Sequence, residues 1–377
     1  MTEIALLHEP SLLRGTDNGS LGSPVMRLGL NIGFVFGGDD HLDHLRLVRE
    51  AEALGFSVTW AAEAYGSDAA TLLSWIAAQT STIDLGAAVF QIPARTPAMT
   101  AMTAATLDKL SGGRFRLGLG VSGPQVSEGW HGVRFSQPLL RTREYVAIVN
   151  SALRRETVAF EGTHFTLPLP DGPGKALKLS IRPVRDHVPV YLAAVGPKNL
   201  ELAGEIADGW LGILNDPSYL GEQLNHIRTG RAARQPDLGL DGFDVVASVP
   251  VVVGDDLAAA SDPIRGYAAL YIGGMGSREK NFYNALAVRM GYEKEAAQIQ
   301  DLYLAKKHRE AMAAVPQEFI DSISLLGGKE RMAEKLTAYA EAGATTVALT
   351  PFEPTVEQRI DTLRTVADAL ELAGIGD

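Results

Sequence analysis

Ser122, Glu128, Trp130 and His131 lie close together in the stretch Ser111 to Gly132, SGGRFRLGLGVSGPQVSEGWHG. A hydroxyl, a carboxylate, an indole and an imidazole in one glycine-rich segment are tools for binding a ligand and moving a proton. His131 carries the group that titrates nearest neutrality, which makes it the best candidate there for proton transfer. A lone histidine beside Gly132 is more often a structural hydrogen-bonder. The same stretch contains Gly118, Gly120 and Gly123, a literal G-x-G-x-x-G. Such a motif holds a dinucleotide when it opens a helix and an acidic residue follows about 20 positions on, at the next strand's end. Here Pro124 follows the last glycine, and no helical stripe begins before Arg141. Glu144 has the right offset but lies in the helical pattern RTREYVAIV. The motif is better read as a strand, Arg114 to Val121, entering a non-helical loop, with glycines that leave room for a flat ligand. Close packing between strands explains Gly118 and Gly120 equally well.

The elements that position this loop alternate along the chain. Strand patterns occur at Arg27–Phe34, Ser57–Ala62, Ile83–Gln91, Arg114–Val121, Val188–Ala194, Gly209–Leu214, Val245–Val253 and Thr345–Leu349, separated by helical stripes. Eight strands with helices between them predict an α/β fold, a (β/α)8 TIM-like barrel with insertions, spanning residues 26–377 as one domain. A doubly wound open sheet is the alternative, and it would carry an early nucleotide fingerprint. The rhythm breaks at about 137–187 and 262–315, which are read as insertions. The first 25 residues lack a signal peptide's basic start and apolar core, and are expected to be a mobile tail. Met26 would make a sensible natural start.

Composition narrows the function. Hydrophobic residues make up 46% and charged residues 21%, as in an ordinary globular enzyme. A net charge of −11 argues against nucleic acid or an anionic membrane as partner. No apolar run approaches a membrane span. The chain has no cysteine, which excludes disulfides and thiolate metal sites and suits the cytoplasm. The eight histidines form no metal-ligand spacing, so no metal is expected.

Three segments together resemble the bacterial luciferase-like superfamily: Gly86 to Pro124, Tyr191 to Trp210, and Tyr271 to Ala296. They are most similar to its deazaflavin branch, the oxidoreductases that use coenzyme F420. The resemblance runs from Met26 to the C-terminus and implies a TIM-like barrel, usually a homodimer. It implies that Gly196, Pro197, Lys198 and Asn199 hold the cofactor phosphate. Glycine and proline opening a helix present free N–H groups and a positive dipole end to an anion, though an ordinary helix start looks the same. It further implies a non-proline cis peptide at Ala88-Val89 against the ring, with Gln91, Gly120, Ser122 and Gly123 also at the cofactor. Glu63 stands where relatives place an acidic or histidine residue over the ring; otherwise it caps the following turn. An Asp-His pair found there in some relatives is Glu63-Ala64 here, so their acid-base assignment does not transfer. His131 and Glu63 are therefore the two catalytic candidates.

Trp130 and Trp210 are candidate pocket walls or core residues. Lys175, Lys178, Arg182 and Arg185 are either receivers for the cofactor's anionic tail or solvated charges. The expected function is hydride transfer between coenzyme F420 and a small organic substrate. An FMN-dependent monooxygenase with a partner reductase is the alternative within the superfamily. A non-catalytic ligand-binding barrel is the alternative outside it.

Overall fold

The computed structural model describes residues 25–33, 41–234, 236–237 and 239–376. The expected tail lies outside these residues except for Val25, and so does Phe34. Short runs of Val, Leu, Ala and Gly, apolar on both faces, form the eight parallel strands of the inner wall. These are β1 (Arg27–Gly33), β2 (Val58–Ala61), β3 (Asp84–Ala87), β4 (Phe115–Gly120), β5 (Val190–Ala193), β6 (Gly209–Gly212), β7 (Asp244–Val253) and β8 (Thr346–Pro351). Each pairs in parallel with the next in sequence. β8 then returns to β1, with Thr346 opposite Arg27 and Leu349 opposite Leu30. The ring is closed, which excludes the open doubly wound sheet and leaves the (β/α)8 barrel.

Alternation along each strand divides two cores. Val58, Trp60, Tyr191, Leu211, Val246 and Ala348 point inward and meet on the axis. Their neighbours, such as Ala61, Leu192, Trp210 and Val245, point outward into the layer beneath the helices. Helix Pro138–Leu153 belongs to this outer ring and packs against helix Pro97–Leu110. The first inserted segment is therefore shorter than 137–187 and begins after Leu153, as two short antiparallel pairings nested one inside the other.

A buried ionic network closes the N-terminal end of the barrel. Asp244, at the start of β7, accepts from Arg27 at 2.9 Å, Arg116 at 3.0 Å and the Tyr191 hydroxyl at 2.9 Å. The hydroxyls of Thr345 and Thr346 add bonds of 2.6 and 2.9 Å. Arg116 also reaches Asp84 at 2.8 Å. Burial would raise the Asp244 pKa, but Arg27, Arg116 and the two threonine hydroxyls overrule it and hold the carboxyl below its ordinary value. Burial, with Asp244 beside it, pushes the Tyr191 phenol up.

The segment between β7 and β8 is the larger insertion. Five helices, Leu257–Ala269, Phe282–Arg289, Glu293–Leu304, His308–Ala313 and Gln317–Ser322, surround a core of their own that includes Ile264, Ile299 and Phe319. It is wider than 262–315 at both ends. A three-residue strand, Leu325–Gly327, absent from the sequence prediction, then pairs with Val251–Val253 of β7. The insertion roofs the C-terminal mouth of the barrel. Its Phe282 meets Phe135, beyond β4, with ring centroids 6.5 Å apart. Its Arg289 donates to the Val195 carbonyl, after β5, at 3.1 Å, and its Tyr267 lies 5.7 Å from Phe352, after β8.

Candidate active site at the C-terminal mouth

The floor of the mouth is a kink in the wall. The Ala88-Val89 peptide is cis and joins β3 to the two-residue strand Phe90–Gln91, which pairs with Leu119 and Gly120 of β4. Ala88, Val89 and Ala193 pack on the inner core and present an apolar shelf. The glycines of β4 explain how the kink fits. A Cβ on Gly118 would stand 1.8 Å from the Ala87 carbonyl oxygen, and one on Gly120 would stand 2.5 Å from Val89 Cγ2. This corrects the expectation that these glycines leave room for a ligand: the protein's own kink fills that space. Beyond β4, Ser122 has φ +59 and turns the chain. A six-residue helix, Pro124–Gly129, follows with Gly123 at its N-cap. The loop is thus not free of helix up to Arg141, as expected, and the barrel helix itself begins at Pro138.

His131 and Glu63, from two loops, come together here with Gln91 of the short strand Phe90–Gln91. His131 Nε2 lies 2.9 Å from Gln91 Oε1. An amide oxygen only accepts, so Nε2 carries the proton in the neutral ring and Nδ1 is left as the acceptor. Among the described residues Nδ1 has no hydrogen bond. Gln91 is buried, and its backbone N–H donates to Glu63 Oε2 at 3.2 Å. Glu63 also accepts from the Ala69 N–H at 3.2 Å and from Arg95 at 2.5 Å. Arg95 in turn binds Asp68 and covers the Phe90 ring, 4.6 Å from its centroid. Burial would lower the Arg95 pKa, but Glu63 and Asp68 raise it overall. Glu63 is thus no free carboxylate over a ring. It is the peg that fixes the kink, and of the two catalytic candidates only His131 has an unengaged atom.

The turn after β5 forms the other side of the mouth. Gly196 is the N-cap of helix Pro197–Ile206, with no side chain capping it and nothing within 4 Å of where its Cβ would be. An uncapped helix start with open space beside it suits an anion. Asn199 Nδ2 donates to the Ala193 carbonyl at 3.4 Å. Lys198 is 77% exposed, and its ammonium pairs with Glu201 at 2.7 Å instead of standing free. Among the described residues no cluster of three or more His, Cys, Asp or Glu could hold a metal ion.

Two further expectations change. Trp210 is fully buried in the outer core and donates from Nε1 to the Ala194 carbonyl at 2.8 Å, so it is no pocket wall. Trp130 is 66% exposed. Lys178, Arg182 and Arg185 line a groove of 270 Å3 beside Arg154 and Arg155. Arg185 pairs there with buried Asp108 and with the Phe115 carbonyl at the start of β4. That is the N-terminal end, a barrel's length from the mouth, so these residues do not reach the tail of a ligand bound at the shelf.

The profile of the luciferase-like monooxygenase family matches residues 26–346. The chain belongs to this family. Its relatives in the luciferase-like family include a Mycobacterium tuberculosis protein provisionally named a coenzyme F420-dependent oxidoreductase. The two are 42% identical over 330 residues, 86% of this chain and 95% of the relative. The 5,10-methylenetetrahydromethanopterin reductase of Archaeoglobus fulgidus is 28% identical over 83% of this chain and 91% of its own. Among solved luciferase-like structures, the coenzyme F420 dependent tetrahydromethanopterin reductase of Methanopyrus kandleri superposes with a TM-score of 0.76 at 24% identity, over 90% of this chain and 97% of that one.

Proposed function

We propose that this luciferase-like barrel is a coenzyme F420-dependent oxidoreductase that transfers a hydride between the deazaflavin and a small organic substrate. The observation that carries this is the 42% identity, along most of both chains, to a protein named for that cofactor. The donor set of the mouth fits the group. Ala88 and Val89 offer an apolar shelf to one face of a flat ring, and the uncapped helix at Gly196, Pro197, Lys198 and Asn199 offers backbone donors to a phosphate. Ser122 and Gly123 are assigned to the ring's polar edge, with Gly120 and Gln91 acting through the kink. The bound deazaflavin supplies a carbon that carries the hydride. The chain has to hold the substrate against the exposed ring face and handle one proton. His131 is assigned the proton, since Gln91 orients its ring and Nδ1, without a hydrogen-bond partner among the described residues, is left as acceptor or, when protonated, donor. Glu63 positions Gln91. No helix among the described residues is long and apolar enough to cross a membrane. A homodimer in the cytoplasm goes with this proposal, on the family resemblance and the cysteine-free composition.

Titration of the purified protein with F420 and with FMN, followed by cofactor fluorescence, tests it. Micromolar F420 binding with much weaker FMN binding is expected. Tight FMN binding without F420 binding would turn the assignment to the family's monooxygenases, and binding of neither would leave a non-enzymatic barrel.

A further inference from the structure

The roof contributes a group of tyrosines to the mouth. Tyr267 and Tyr271 lie one helical turn apart with ring centroids 4.7 Å apart, and Tyr283 meets Tyr271 edge-on at 4.8 Å. Tyr267 meets Phe352, the residue after β8, edge-on at 5.7 Å. All three tyrosines remain partly accessible although their rings pack on one another. Among the described residues the hydroxyls of Tyr267, Tyr271 and Tyr283 have no hydrogen-bond partner. Other tyrosine hydroxyls of the chain do: Tyr191 binds Asp244, Tyr339 binds the Asn215 carbonyl and Tyr145 binds Thr100.

The wall is held in place from behind. The buried Asn281 side chain donates to the carbonyls of Tyr271 and Ile272 at 3.1 and 2.9 Å, and accepts from the N–H groups of Tyr283 and Asn284 at 2.9 and 3.0 Å. One amide therefore sets the spacing of Tyr271 and Tyr283. Burial pushes all three phenols up, Tyr283 to about 12, so each keeps its proton and can donate. Two guanidiniums near this wall are engaged elsewhere, Arg95 by Glu63 and Asp68 and Arg289 by the Val195 carbonyl. An aromatic wall with neutral donors suits an uncharged body that carries an oxygen acceptor. A phosphate or carboxylate would find no bidentate partner in it.

We infer that Tyr267, Tyr271 and Tyr283 form the substrate wall of this mouth and select a neutral, apolar or aromatic carbonyl compound, or its alcohol, over a phosphorylated or carboxylated one. The inference rests on the hydride-transfer function proposed above. In the reducing direction the carbonyl carbon gains a hydride, its C=O π pair moves to oxygen, and oxygen gains a proton. The reduced deazaflavin is the reductant, and the product is a secondary alcohol.

Two measurements on the full-length protein test this separately from the cofactor assignment. Ligand-observed NMR saturation transfer reports acetophenone binding without any cofactor. F420-linked kinetics compare 1-phenylethanol with glucose 6-phosphate. Tyr271→Phe and Tyr283→Phe keep the rings and remove only the donors. Each is expected to weaken acetophenone binding and raise the KM for 1-phenylethanol about fivefold, with F420 affinity unchanged. Glucose 6-phosphate is expected to be a poor substrate. Acetophenone binding that is absent, or indifferent to both substitutions, overturns the inference even where F420 binds, and so does a preference for glucose 6-phosphate. Acetophenone binding that falls in both variants supports the wall even if F420 does not bind, and in that case the cofactor assignment fails alone.

Discussion

At the N-terminal end of the barrel Arg27, Asp84, Arg116 and Asp244 satisfy one another, with Tyr191, Thr345 and Thr346 filling the remaining bonds. At the C-terminal end His131 Nδ1, the three roof phenols and the uncapped helix start at Gly196 have no such partners among the described residues. Both ends place polar groups over the same apolar axis. The difference is that one set is closed on itself and the other is left to be completed by something that binds. Buried charge in the first set is tolerated because it is fully paired. Open donors in the second are tolerated because the mouth admits water until a ligand replaces it. Conserving fold and changing chemistry are thus assigned to opposite ends of one cylinder.

The sharpest way to break this contrast is at Asp244. Asp244→Ala leaves part-exposed Arg27 without its carboxylate and buried Arg116 with Asp84 alone, and should cost about 3 kcal/mol in urea unfolding. Its pH dependence has a definite sign. The carboxyl titrates lower in the folded chain than in the unfolded one, so its contribution is complete above the unfolded value near 3.8 and fades as pH falls through the lower folded value. Wild-type stability should therefore hold down to about pH 5 and lose this contribution below about pH 4, a slope that Asp244→Ala lacks. At the open end His131→Ala should lower kcat about 100-fold while leaving the unfolding midpoint nearly unchanged. A large stability loss instead would move His131 to the structural side. Gly120→Ala probes the boundary between the two ends, because its methyl displaces Val89. We expect about 1–3 kcal/mol of destabilisation together with weaker F420 binding, read by unfolding and by fluorescence titration. Lys198→Glu should be the mildest, weakening F420 a few-fold, since the ammonium is exposed and already shared with Glu201. Unchanged affinity there would leave the phosphate to backbone donors alone.

The barrel was legible because glycine and proline punctuate runs that are apolar on both faces, a pattern with few other solutions. Leu325–Gly327 was not, since three residues carry no period. Helix Pro124–Gly129 has under two turns and no stripe, although Pro124 at its first position is a start signal. Sequence left Trp210 open between pocket and core for a geometric reason. In a strand with both faces buried, a one-residue difference in register decides whether an indole faces the axis or the helices, and here Leu211 takes the inner face. The basic cluster was read by charge alone, which does not tell the two ends of a barrel apart. The pairing of His131 with Gln91 spans 40 residues and depends on the kink, so no local pattern announces it. Nor does spacing show that Glu63 is consumed by Arg95 and two backbone N–H groups.

One feature of the roof bears on the history of the molecule. The chain leaves β7 at Val253 and comes back at Leu325–Gly327, hydrogen-bonded alongside the point of departure. Both ends of the inserted segment are therefore anchored on neighbouring strands, and its helices close around a core that takes in Leu214 and Val252 of the barrel. A segment with adjacent ends can be exchanged for another without re-closing the barrel or disturbing the network at its far end, provided its successor also covers Leu214 and Val252. New substrate ranges could then arise by replacing one contiguous stretch of gene, with hydride chemistry inherited intact from the shelf beneath.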